Sequence, residues 1–336
     1  MLSSHIATAV STYPGIGERM MEFFIVSALN GIIYGILLFM VSAGLTLIFG
    51  MMSVLNFAHA SFYMIGAYVG YVSTRYWGFW QGLILAPIFV GIMGIAVERF
   101  CLRRVHRFGH AYELLLTFGV AFIIEELMKL FFGPAPVNYP LPQQLRFAAF
   151  TIYGTDYPFY RVLMGGISVS MFIFIFGILK FTRIGIVVRA AVYKPDMVNA
   201  LGYNVPLVFM AVFGIGAALA GLAGSVAGAF YPTSPNMAMD LGLIVFVVVV
   251  VGGLGSLEGA FLASMIIGLV TSFAVGVKWC LADLFAVIGM EEHLRSLGGI
   301  FTLELYSIAG LLPFIFMLVI LLVRPAGLLG EKEATQ

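Results

Sequence analysis

The chain has 336 residues, of which 62% are hydrophobic and only 10% charged, with a formal net charge of +1. A mean hydropathy of +1.06 excludes an ordinary soluble domain, and the near-zero charge carries no sign of a nucleic-acid partner. Several apolar runs of about twenty residues imply an all-α polytopic membrane protein, because backbone groups in lipid must be satisfied within their own segment; the alternating ten-residue segments of a barrel do not occur.

In chain order, residues 1–23 lack the basic and apolar regions of a signal peptide and read as a polar tail. One transmembrane domain is expected over 24–330, with a short tail at 331–336. Its apolar runs fall at 24–50, 56–74, 80–100, 111–132, 160–180, 206–230, 241–254, 256–277 and 301–323. The first could break near "AGLTLIFG", and the seventh is short enough to be a half-span, so eight or nine spans are predicted. Basic residues cluster after the third run (Arg99, Arg103, Arg104, Arg107), after the fifth (Lys180, Arg183, Arg189, Lys194) and after the last (Arg324, Lys332). Placing these ten of the 17 Lys and Arg inside gives an outer N-terminus and an inner C-terminus, which needs an odd number of crossings. Cys101 and Cys280 then lie on opposite sides and do not pair. In the fourth run, Glu125 and Lys129 are spaced i, i+4 and read as a structural pair, with Glu126 beside them. The prolines of 133–159 forbid a long helix there. Similar placement of small residues in 56–70 and 255–269 hints at an inverted repeat, an arrangement that sets a pathway at the repeat interface.

Three segments carry polar residues where a greasy chain would otherwise omit them. In "SVLNFAHASF", Asn56, His59 and Ser61 sit between apolar helices; Asn56 suits a cap, and irregular backbone at membrane depth is tolerated only beside protein or a cavity. Capping at the inner interface explains the same residues without a pathway. In "GGLGSLEG", Gly252, Gly253 and Gly255 allow a sharp turn or close helix approach, Ser256 suits a cap, and Glu258 is the one acid. In "RAAVYKPDMVNALGYN", Pro195 and Asp196 suit a first helical turn and Gly202 a stop, so a short helix is expected over about 194–201, with Met197, Val198 and Leu201 on one side. An ordinary loop held by headgroups accounts equally well for that spacing.

The stretch "GIVVRAAVYKPDMVNALGYNV" resembles the cytoplasmic coupling loop of permeases in ATP-binding-cassette importers, and the branched-chain amino-acid permease family in particular. The blocks at 30–71, 247–270 and 322–330 ("LVRPAGLLG") share that resemblance, which covers most of 30–330. Two positions depart from the family's habit: Ala60 where Gly is frequent, and Lys194-Pro195 where an acid precedes the proline. The resemblance implies that 181–205 packs on an ATPase subunit through Arg189, Lys194, Pro195, Asp196, Met197, Leu201 and Gly202. It implies further partners: a second permease chain, two ATP-binding subunits holding ATP-Mg, an external solute-binding protein, and a bacterial cytoplasmic membrane. The chain has no P-loop and no hydrolase or metal-ligand motif, so it is not expected to be an enzyme or to bind a cofactor itself. A secondary transporter or channel for a small neutral solute, such as urea or a short amide, is the competing expectation. It is weakened by the scarcity of buried ionisable groups on the candidate route.

Overall fold

A computed structural model of the chain describes residues 16–152, 155–193, 195–277 and 304–330. The tail before Ile16, Lys194, the whole of 278–300 with Cys280, and the tail after Gly330 with Lys332 lie outside the described residues.

All nine apolar runs contain a helix. These are α1 (Ile16–Met52), α2 (His59–Tyr76), α3 (Phe79–Val97), α4 (His110–Phe132), α5 (Phe159–Phe181) and, after two short helices α6 (Arg183–Tyr193) and α7 (Pro195–Ala200), α8 (Val205–Ala227), α9 (Met237–Gly252), α10 (Leu257–Gly276) and α11 (Leu312–Val323). Among the described residues, six helical stretches are long and apolar enough to cross a membrane by themselves. The other three of the nine are α2, α4, which carries the Glu125–Glu126–Lys129 cluster, and α9, which has 16 residues. The break suggested near "AGLTLIFG" does not occur: α1 runs unbroken for 37 residues, about 55 Å at 1.5 Å per residue.

Glycines set the helix crossings, as expected where lipid supplies no hydrophobic drive between helices. A Cβ on Gly66 of α2 would lie 2.2 Å from the Gly221 carbonyl oxygen of α8, and one on Gly224 only 1.9 Å from that of Tyr63. The α1–α10 pair meets in the same way, with a Gly268 Cβ 2.4 Å from the Gly31 oxygen. The α1–α10 contacts, Gly31 with Leu269 and Gly50 with Gly255, run antiparallel, the α2–α8 contacts, Gly66 with Gly221 and Gly70 with Ser225, run parallel, and together they gather one end of the bundle: Met52, the Arg99–Arg107 turn, α6 and α7, Gly252–Ser256, and 324–330. Arg103 ties that end, donating to the Glu98 carboxylate at 3.0 Å and to the Pro206 carbonyl at 2.9 Å; Glu98 is only 3% exposed. The buried Glu113 carboxylate accepts from His106 and, at 3.1 Å, from His110.

At the opposite end, the proline-rich connection contains no long helix. It folds into an antiparallel hairpin, β1 (Ala148–Ile152) and β2 (Thr155–Pro158), with Thr151 opposite Asp156. Lys129 bridges Glu125 at 2.8 Å and Glu126 at 2.9 Å, as the i, i+4 and i, i+3 spacings require.

Candidate functional site

The polar segment at 53–58 is an unwound joint inside the bundle. Ser53 takes a left-handed conformation (φ 53°), and the Asn56 side chain accepts the Ala58 N–H at 3.1 Å, turning the chain into α2. His59 is 1% exposed, and its Nε2 meets the Val41 carbonyl at 2.9 Å. Val41 lies eleven residues, about 16 Å, from the basic end of α1, so His59 is not a headgroup-level cap. Leu55 and Phe57 hydrogen-bond to Thr117 of α4, while Phe57 stacks on Phe246 of α9 at 6.0 Å. Asn56, His59 and Ala60 thereby face Gly242 and Phe246 across a chamber of about 60 Å³, and Ser61 is buried nearby. Asn56 Nδ2 and His59 Nδ1 have no hydrogen-bond partner among the described residues.

The glycine loop does not join this chamber. Gly252, Gly253, Gly255, Ser256 and Glu258 border neither of the two cavities described here. They form a packing joint at the basic end instead. The Val251 and Gly252 carbonyls accept from Leu328 and Leu329 N–H at 2.8 and 3.0 Å, and a Cβ on Gly253 would lie 2.3 Å from Gly330 N. Ser256 caps α10 through the Gly259 N–H at 3.1 Å, and Glu258 is exposed. The four glycines let backbones touch, so their sequence signal is one of packing rather than of solute contact.

A larger cavity, about 720 Å³, opens at the end away from the basic loops, between α1, α10 and the start of α5. That size lies within the usual range of about 300–1,000 Å³ for small-molecule sites. Its polar lining includes Glu22, Asn30, Tyr34, Arg161 and Tyr231. Arg161 donates to the Asn30 side-chain oxygen, and its guanidinium carbon lies 4.9 Å from the Phe230 ring centre and 5.4 Å from that of Tyr157. Glu22 accepts from Thr155 at 2.8 Å. Burial pushes the Tyr231 hydroxyl up from its usual range, which keeps it protonated and neutral near pH 7. Sequence reasoning missed this group. Its one signal was Asn30 and Tyr34, polar residues at i, i+4 in the first apolar run, while Arg161 is one of the seven basic residues outside the three clusters.

In the 181–205 segment, α7 covers Pro195–Ala200 and closes on Gly202 at φ +87°, with Gly202 N–H donating to Asn199 O and Tyr203 N–H to Val198 O. The expected three-residue face divides. Val198 is 4% exposed against Ala191 and Val205, whereas Met197 is 59% and Leu201 76% exposed. Residues i and i+1 are about 100° apart on a helix, so Val198 turns inward while Met197 and Leu201, four apart, share the outer side. Asp196 is exposed, and Arg189 donates to the Leu179 carbonyl, tying α6 back to α5. Lys194, between α6 and α7, is outside the described residues.

A bundle of apolar helices with an unwound joint inside it, and a separate ligand-sized cavity at one end, is the architecture of an integral membrane permease. A family model described as branched-chain amino acid transport system / permease component matches residues 27–321, and the chain belongs to that family. It is 26% identical over 328 residues to the high-affinity branched-chain amino acid transport system permease protein LivH of Salmonella typhimurium, spanning 93% of this chain and 97% of that protein. It is likewise 26% identical over 321 residues to the permease protein BraD of Pseudomonas aeruginosa, spanning 90% and 95%. A probable LivH permease of the archaeon Methanocaldococcus jannaschii is 25% identical over 267 residues, spanning 76% and 82%. No solved structure matches the chain.

Proposed function

We propose that this chain is the membrane permease of an ATP-driven, binding-protein-dependent importer of branched-chain or related neutral amino acids. The end that carries Arg99–Arg107 and α7 faces the cytoplasm of a bacterial cell, following the positive-inside rule. Two ATP-binding subunits dock there and hold ATP-Mg, a second permease chain completes the membrane unit, and a solute-binding protein delivers solute to the other side. The observation that carries this reading is the isolated helix Pro195–Ala200, anchored inward by Val198 and presenting Met197 and Leu201 outward. Two exposed apolar side chains on a short capped helix, at the basic end of a permease, suit a groove on a partner. The cavity volumes fit a state open on the far side, since about 720 Å³ is open there while the separate chamber at His59 holds only about 60 Å³. ATP binding would move α6 and α7 and rock the bundle to the other state.

The test is reconstitution of the full complex in liposomes with radiolabelled leucine. Uptake should require ATP, the ATPase subunits and the binding protein. Uptake that persists without ATPase and ATP would replace this reading with a secondary transporter or channel.

A further inference from the structure

The proposed role leaves open how this chain itself reads an amino acid. We infer that Arg161, oriented by Asn30, is a carboxylate-reading subsite in the outer cavity, specific for small zwitterionic amino acids. This inference rests on the importer reading.

Arg161 follows two residues after the start of α5 and lines the roughly ligand-sized cavity, where a guanidinium must be justified against its cost of burial. Among the described residues no carboxylate lies within 4.0 Å of it, so it is not neutralised by an ion pair. Its guanidinium lies against the Phe230 and Tyr157 rings, which stabilise the positive charge without taking its hydrogen-bond donors. Nη1 donates to the Asn30 oxygen, which fixes the orientation of the plane. Nε is covered and has no partner, an unusual condition for a buried donor. With Nε covered by protein, a carboxylate in the cavity would meet the Nη end of the guanidinium, where Nη2 is not among the covered atoms and Asn30 takes one Nη1 hydrogen; that end is the other fork on which a guanidinium holds a carboxylate.

The rest of the cavity suits the remainder of an amino acid. Val26, Ile33 and Phe230 offer an apolar wall for a branched side chain, and the Tyr34 and Tyr231 hydroxyls can accept from an ammonium. Glu22 lies eight residues, about 12 Å, from Asn30 along α1 and sets a negative charge nearer the mouth. Asn30 brings no charge of its own, so among the described residues Arg161 is the one cation lining the cavity. A neutral amide or urea has no carboxylate to match it. The phosphate or carboxylate of an anionic lipid headgroup shares the recognising chemistry, and the experiment separates the two.

The permease–ATPase complex, without binding protein, is purified and its thermal transition followed under leucine, leucinamide and isoamylamine. Leucine should stabilise the wild type, and the two analogues without a carboxylate should not. Arg161→Gln should raise the leucine concentration for half-maximal shift about 10- to 100-fold, the scale of a lost charge-assisted hydrogen bond or pair, with Arg161→Lys intermediate. Asn30→Asp, which supplies an internal carboxylate to the guanidinium, should weaken leucine at least about tenfold and provides the test if Arg161→Gln misfolds. The leucine shift should be the same in phosphatidylcholine and phosphatidylglycerol nanodiscs. Equal leucine affinity in the well-folded variants, or leucinamide as effective as leucine, overturns the subsite. A shift produced by phosphatidylglycerol and lost in Arg161→Gln, with none from leucine, assigns Arg161 to lipid and also overturns it. ATP-driven leucine uptake by the complete wild-type complex is measured alongside: uptake with an unaltered Arg161→Gln titration rejects only the subsite, whereas absence of uptake rejects the importer reading.

Discussion

Truncating Met197 and Leu201 to alanine tests the coupling helix most directly. Both side chains stand out from α7, at 59% and 76% exposure, so neither contributes much to the permease's own packing. Full burial of such a side chain is worth about 1.5–3 kcal/mol. Scaled by the fraction each still exposes, docking should gain about 1–2 kcal/mol from each, or roughly 5- to 30-fold in affinity per residue. The double variant should therefore lower affinity for the ATPase subunit by at least about 30-fold, with the permease's melting temperature unchanged. Val198→Ala provides the contrast. It removes two buried methyl-sized groups, about 1.5 kcal/mol, from the contact with Ala191 and Val205, and should loosen the segment itself. The assay is titration of the ATPase subunit into permease held in nanodiscs, with parallel melting curves. Wild-type affinity in a well-folded Met197→Ala/Leu201→Ala protein would refute the docking role of α7.

The remaining predictions concern the framework. Gly202→Val should cost about 1–2 kcal/mol because φ +87° strains a branched residue, whereas Gly202→Asn should be nearly silent; comparing ATPase affinity and uptake for the two checks this. Gly224→Ala places a Cβ 1.9 Å from the Tyr63 oxygen, a backbone clash that should exceed the usual overpacking cost of about 1–3 kcal/mol and sharply reduce the monodisperse yield on gel filtration. Arg103→Ala strands the buried Glu98 and frees the Pro206 carbonyl, and should lower stability by about 1–3 kcal/mol in a detergent melt, with Arg103→Lys recovering part.

The helices were legible because hydropathy and length speak directly to them: seven of the nine apolar runs match a helix within four residues at each end, while α1 begins eight residues before its run and α11 eleven after the start of its own. Depth was not legible. A window over "SVLNFAHASF" sees polar letters between two spans and places them at a membrane face. Only the His59–Val41 hydrogen bond reveals that α2 begins well inside the bundle. The glycine loop was legible as a sharp turn or close approach, but not its partner, since glycines that let a tail cross at Gly330 and glycines that shape a route look alike in sequence. Arg161 was hidden because its importance comes from Asn30, Phe230 and Tyr157, which are distant in the chain or unremarkable alone. The short α7 was readable from Pro195 and Gly202, but the inward turn of Val198 depends on α6 and the start of α8, which spacing does not locate.

The contacts among α2, α3 and α8 carry a mechanical consequence. Gly66 faces Gly221 and Gly224 abuts the Tyr63 carbonyl, so main chain rests on main chain between α2 and α8, while on the other side Gly94 of α3 takes the Ala217 methyl and Gly221 the Val90 side chain. Such a seam offers no rotamers to readjust, and sliding it by even one residue would drive a Cβ into a carbonyl. The three helices must swing as a single slab. Any cycling between open and closed forms is thereby left to the flanking non-helical links, 53–58, 201–204 and 228–236, the places where an otherwise stiff door can hinge.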